Sequence, residues 1–83
     1  MKVTVRYFAS LREALGTSET LELPEGLSVS QLRDRLIASD AEHAAALARG
    51  RAVRCALNHD MCEEGAPLSD GAEVAFFPPV TGG

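Results

Sequence analysis

The sequence has no tryptophan, one tyrosine, three phenylalanines, one lysine and only two cysteines in 83 residues. Two cysteines exclude the disulfide framework of a small secreted domain. Cys55 and Cys62 are separated by six residues, a spacing that matches no zinc signature. A local Cys55–His59–Cys62 site competes there with a half-buried strand cysteine beside a turn cysteine. The second reading is expected, with no metal bound. No apolar run approaches the ~18 residues of a membrane span. No signal-peptide core follows Met1. A cytoplasmic protein without a membrane partner is expected. Basic residues are scarce, eight against twelve acidic, for a net charge of −4. Scattered cations do not make a phosphate-neutralising face, so no nucleic-acid partner is expected. Seven glycines and four prolines are too few for a low-complexity linker. With 46% hydrophobic and 24% charged residues, the composition is that of one ordinary globular domain.

The pattern of apolar residues suggests the elements. Residues 2–8 alternate, with Val3, Val5 and Tyr7 on one face, which predicts a strand buried on one side. Phe8 ends it and is expected to pack inward. Ser10 to Glu13 has the form of a capping box, and Gly16 stands where a short helix would close. Residues 20–23 alternate again and predict a second strand, antiparallel to the first. Ser28 and Gln31 form a second capping box, with Leu27 and Leu32 placed as a hydrophobic staple. Val29, Leu32 and Leu36 continue as a helical stripe. A weaker, alanine-rich helix follows, capped by Asp40 and stopped near Gly50. From 52 the period returns to two, with Val53, Cys55 and Leu57 opposite Arg54 and Ala56. Residues 58–60 read as a turn and 61–62 as a very short strand. In the last strand Val74 and Phe76 share one face, Ala75 and Phe77 the other. Strands and helices in this order predict an α+β fold: a mixed sheet of four or five strands with one main helix across it.

The sequence after Phe77 reads Pro78-Pro79-Val80-Thr81-Gly82-Gly83. Two prolines end a strand ladder and stiffen the exit. Residues 1–77 are expected to form the domain and 78–83 an extended tail. A frayed terminus is the ordinary explanation of such a tail. A carboxylate on glycine, however, can enter a narrow channel and be attacked with little crowding. A carboxylate is a poor acyl donor and needs prior activation. The chain has no P-loop and no G-x-G-x-x-G motif for that step. The tail would then be a substrate for partner enzymes. Phe77, at its base on the face away from the core, is a candidate docking anchor.

These residues carry a family resemblance. Residues 6–13 (R-Y-F-A-S-L-R-E), Ala56-Leu57-Asn58 and, most specifically, residues 68–83 (L-S-D-G-A-E-V-A-F-F-P-P-V-T-G-G) resemble the small subunit of molybdopterin synthase, a family of sulfur carriers. The resemblance runs nearly the whole length. Leu57 replaces a usual valine, and Ala72 stands where an acidic residue is frequent.

The resemblance implies a β-grasp, ubiquitin-like fold. It implies that Gly83 is adenylated by an E1-like adenylyltransferase, which uses ATP, with no cofactor resident on the carrier. It also implies conversion to a thiocarboxylate with sulfur from a sulfurtransferase or cysteine desulfurase. Sulfur is then donated to cyclic pyranopterin monophosphate within a heterotetramer of two small and two large subunits. Gly83 would be the reacting end and Gly82, with Thr81, its slim approach. Phe77, Pro78, Pro79 and Val80 would form the docking stem, and Arg12 an interface residue. Other expectations to be tested are a sulfur carrier for thiamine or thio-tRNA synthesis, a ubiquitin-like modifier, and a plain interaction module with an incidental tail.

Overall fold

Alternation sets the first strand. In the computed structural model, which describes residues 1–79, Lys2–Tyr7 form β1 with Val3, Val5 and Tyr7 buried. Ser18–Glu22 form β2, antiparallel to β1 with Val3 opposite Leu21. Between them Ser10–Leu15 form α1. The capping box expected at Ser10 is absent. Ala9 is the N-cap, with no side-chain cap hydrogen bond, and Ser10 is already helical. The reason lies in the strand before it. Phe8 still donates its N–H to the Phe76 carbonyl at 3.2 Å, so the chain must turn within one residue, and Ala9 does so at φ 53°. Gly16 closes α1 as expected, at φ 91°, with its N–H on the Arg12 carbonyl at 2.9 Å. A side chain there would be strained.

The second capping box is complete. Ser28 Oγ accepts the Gln31 N–H at 3.2 Å, and Gln31 Oε1 accepts the Ser28 N–H at 2.9 Å. It starts α2, Val29–Ser39, which buries Val29, Leu32 and Leu36. Asp40 caps α3, Ala41–Leu47, by accepting the His43 N–H at 2.8 Å. This helix adds Ala46 and Leu47 to the core, so the sheet is covered by more than one helix. Arg54–Leu57 form β3, Asp60–Cys62 β4 and Glu73–Phe77 β5. Asn58 and His59 join β3 to β4, both at positive φ, as a tight two-residue hairpin demands. Ala72 is buried. Leu21, Val53 and Leu57 pack against the core only partly buried.

The sheet order is β2-β1-β5-β3-β4. β1 and β5 are parallel at the centre and the other pairs antiparallel. This mixed five-stranded sheet with helices on one face is the β-grasp, ubiquitin-like fold. No helix among the described residues is long and apolar enough to cross a membrane.

A polar chain fastens α3 to the strands. Tyr7 Oη donates to Glu19 Oε2 at 2.8 Å. The same oxygen lies 2.7 Å from His43 Nε2, and His43 Nδ1 lies 2.8 Å from Asp40 Oδ1. Burial disfavours the charged imidazole. The hydrogen bonds to Glu19 and Asp40 outweigh it and hold His43 above its ordinary value. Burial, and then the bond to Glu19, push the Tyr7 phenol far up, so it stays protonated. A raised histidine pKa stabilises the fold fully below the unfolded value, and that stability is lost as pH rises through the folded value. Stability should therefore decline as pH rises above about 6.5. His43→Gln should flatten that decline, as read from thermal midpoints across pH. An equal decline in the variant would remove His43 as its cause.

Candidate functional site

The core takes Val74 and Phe76 from β5, so Ala75 and Phe77 lie on the opposite face of the sheet. On β3 Cys55 faces the core, which leaves Ala56 on that same outer face, directly across from Ala75. Phe8, Ala9, Pro78 and Pro79 join these three residues around an open trough of about 650 Å³. Among the described residues no charged side chain lines it. Small residues on the strands form its floor, and two phenylalanines and two prolines form its walls. Pro78 and Pro79, the first residues after β5, are half-buried against it. Met61, 57% exposed, lies across from Ala56 on edge strand β4 and carries the apolar surface outward.

Phe8 corrects an expectation. It does not pack inward; it is 37% exposed and lines the trough. Tyr7 faces the core, so the next side chain in an extended strand faces away. Its ring is covered from one side by the Arg6 guanidinium, 5.5 Å from the ring centre. Arg6 in turn lies 3.7 Å from Glu73, which is 3.6 Å from His59. These three side chains lie beside the trough. Their exposure makes each pair worth little to stability.

Phe77, Pro78 and Pro79 line the trough together. Arg12 is not with them: it is exposed on α1, one turn past Ala9, and does not line the trough. Val80, Thr81, Gly82 and Gly83 lie outside the described residues. Among the described residues no group of three His, Cys, Asp or Glu side chains could hold a metal ion.

The family model of the ThiS family matches residues 5–83. The chain belongs to the ThiS family. Within it, the chain is 41% identical over 81 residues to the molybdopterin synthase sulfur carrier subunit of Escherichia coli (strain K12), covering 98% of this chain and 99% of that protein. Among solved structures it resembles a putative molybdopterin converting factor, subunit 1, from Pyrococcus furiosus. That match has 31% identity and a TM-score of 0.79, and covers 96% of this chain and 99% of the other. It also resembles a chain in the complex of subunits 1 and 2 of molybdopterin-converting factor from Helicobacter pylori 26695, at 26% identity and a TM-score of 0.70, with both chains fully covered.

For this ThiS-family chain, sequence reasoning missed Phe8, Ala9 and Met61 as members of the outer apolar surface. Strand alternation carried the signal for Phe8. The signal for Met61 was the hairpin register, which sets it against Ala56.

Proposed function

We propose that this chain is the sulfur carrier subunit of a molybdopterin synthase. The observation that carries the reading is the continuity of an uncharged apolar trough with the Pro78–Pro79 stem, at the base of residues 80–83. An exposed patch of this kind is a docking surface. The H. pylori relative is found in a complex with a second subunit, and the trough is where this chain would take its large subunit, with Phe77 as anchor. Val80, Thr81 and Gly82 would then follow as a slim stem, and Arg12 would lie at the margin of the contact.

The chemistry belongs to the chain end and its partners. An E1-like adenylyltransferase consumes ATP, joins AMP to the Gly83 carboxyl and releases pyrophosphate. The outer sulfur of a persulfide on a sulfurtransferase or cysteine desulfurase displaces AMP, and a thiol then cleaves the acyl disulfide, leaving a thiocarboxylate on Gly83 and a disulfide on the sulfur donor. Two such carriers, in a heterotetramer with two large subunits, supply the two sulfurs of the dithiolene. Each transfer to cyclic pyranopterin monophosphate returns Gly83 as a carboxylate. ATP is thus used by the partner, and the carrier itself holds no cofactor.

Intact mass spectrometry tests this after incubation with host extract and ATP. The expected result is a gain equal to one oxygen-to-sulfur exchange, mapped to Gly83. Stable isopeptide adducts through Gly83, without that exchange, would instead make the chain a protein modifier. Transfer of the sulfur to a thiamine or thio-tRNA precursor, and not to the pyranopterin, would move it to another carrier branch.

Phe77→Ala should weaken binding to the large subunit by about 1–3 kcal/mol in calorimetry, the usual worth of an aromatic anchor. Unchanged affinity would place the docking contact elsewhere. Cys55→Ser and Cys62→Ser should each retain sulfur transfer, because the sulfur sits on the terminus.

A further inference from the structure

Two thiols face each other on the other side of the edge hairpin. The two-residue connection sets Leu57 opposite Asp60, and the register then places Cys55 directly across from Cys62. Their Sγ atoms are 3.5 Å apart, and both cysteines are free. A disulfide needs about 2.05 Å between the sulfurs, and Cα atoms about 4.4–6.8 Å apart. Directly opposed strand residues meet the second condition. The first requires the sulfurs to approach by about 1.5 Å from their present 3.5 Å. Cys55 is buried against the core, whereas Cys62 on the edge strand is only half-buried.

We propose that Cys55 and Cys62 form a reversible thiol–disulfide pair that staples edge strand β4 to β3 when a low-molecular-weight disulfide is the oxidant. The proposal does not depend on the sulfur-carrier reading. Cys62, the more accessible thiol, reacts first. Its thiolate attacks one sulfur of glutathione disulfide and releases one glutathione thiolate. The sulfur of Cys55 then gives up its proton to solvent and attacks the Cys62 sulfur, expelling the second glutathione thiolate. One oxidant S–S bond is broken and one protein S–S bond is formed. The oxidant is reduced to two thiols and the protein pair is oxidised. Burial, and then the contact with Cys62, push the Cys55 thiol up to about 12. Cys55 is therefore protonated at rest, which leaves the more accessible Cys62 to start the exchange.

The bond would lie on the core side of the hairpin, while Ala56 and Met61, the intervening pair, face outward. Oxidation would thus fix the edge of the apolar surface from behind.

The test is to expose the folded full chain to glutathione disulfide and follow it by intact mass and thiol alkylation. The expected product has lost two hydrogens and both alkylatable thiols. Its one linked peptide pair joins Cys55 to Cys62, and the rate does not depend on protein concentration. Glutathione should restore the dithiol. Cys55→Ser should stop at a glutathione adduct on Cys62. Wild-type protein that stops at that adduct, forms intermolecular dimers or does not react would overturn the proposal. The wild-type outcome is decisive even if a variant fails to fold.

Discussion

Removing Gly82 and Gly83 is expected to abolish sulfur transfer completely while moving the thermal midpoint by no more than about a degree. The acyl group on which the proposed chemistry occurs belongs to Gly83, so no other residue can replace it. The buried core, among the described residues, ends at Phe76, and terminal segments outside a core add little to stability. Mass spectrometry for sulfur loading and calorimetry for unfolding would be run on the same protein. Residual transfer by the shortened chain would remove Gly83 as the sulfur-bearing end. A fall of many degrees would mean that the last residues support the fold.

Arg33→Ala should cost about 3 kcal/mol of stability, a large share of the ~5–15 kcal/mol that holds a domain together. Arg33 is 3% exposed, the one buried charged residue among those described. Its Nε donates to the Leu47 carbonyl at 2.8 Å, and Nη2 donates to the carbonyls of Ala48 at 2.8 Å and Arg51 at 3.3 Å. Nη1 reaches Glu64 Oε2 at 2.7 Å. Carbonyls at the end of a helix have no partner within the helix. The guanidinium supplies donors at the end of α3 and brings a positive charge to the negative end of its dipole. Alanine would leave these buried acceptors unpaired and a cavity beside them. Arg33→Lys should recover only part of the loss, because a point charge cannot replace the planar fork. Urea titration would read both, at unchanged m-value. A loss below about 1 kcal/mol would show that water replaces the side chain with little penalty.

Local signals were legible where both partners lie within a turn of each other. Ser28 and Gln31 needed nothing distant to form their box. Ser10 and Glu13 show the same pattern but form no box, because β1 remains paired with β5 through Phe8 and fixes where α1 can begin. Arg33 was hidden by its charge. It lies four residues after Val29, on the apolar stripe with Leu32 and Leu36, and a positional reading would have buried it. Only the carbonyl and carboxylate acceptors around it, from residues 47 to 64, explain why a charge can be there. The Cys55–Cys62 pairing was lost when the turn was read as three residues; a two-residue turn sets the register. The outer face was half legible. Alternation in β3 and β5 gave Ala56, Ala75 and Phe77, but their adjacency came from a strand order that no local pattern specifies.

That strand order also bears on how the molecule comes into being. β5, the latest strand in the sequence, lies at the centre of the sheet, between β1 and β3. Its parallel partner β1 lies near the other end of the chain, so the central pairing closes a loop of nearly the whole sequence. Such distant pairing is slow relative to helix and hairpin formation. A chain still being synthesised can make the β1–β2 hairpin early, but it cannot complete its middle until Phe77 has emerged. An interrupted chain would lack the heart of the sheet rather than an edge, and would expose the apolar sides of β1 and β3 to quality control. The trough, whose floor is shared by β3 and β5, can form only once β5 and the two prolines after it have been made. Late synthesis of the central strand thus acts as a licence: anything that docks on this surface would meet only chains whose sheet is complete.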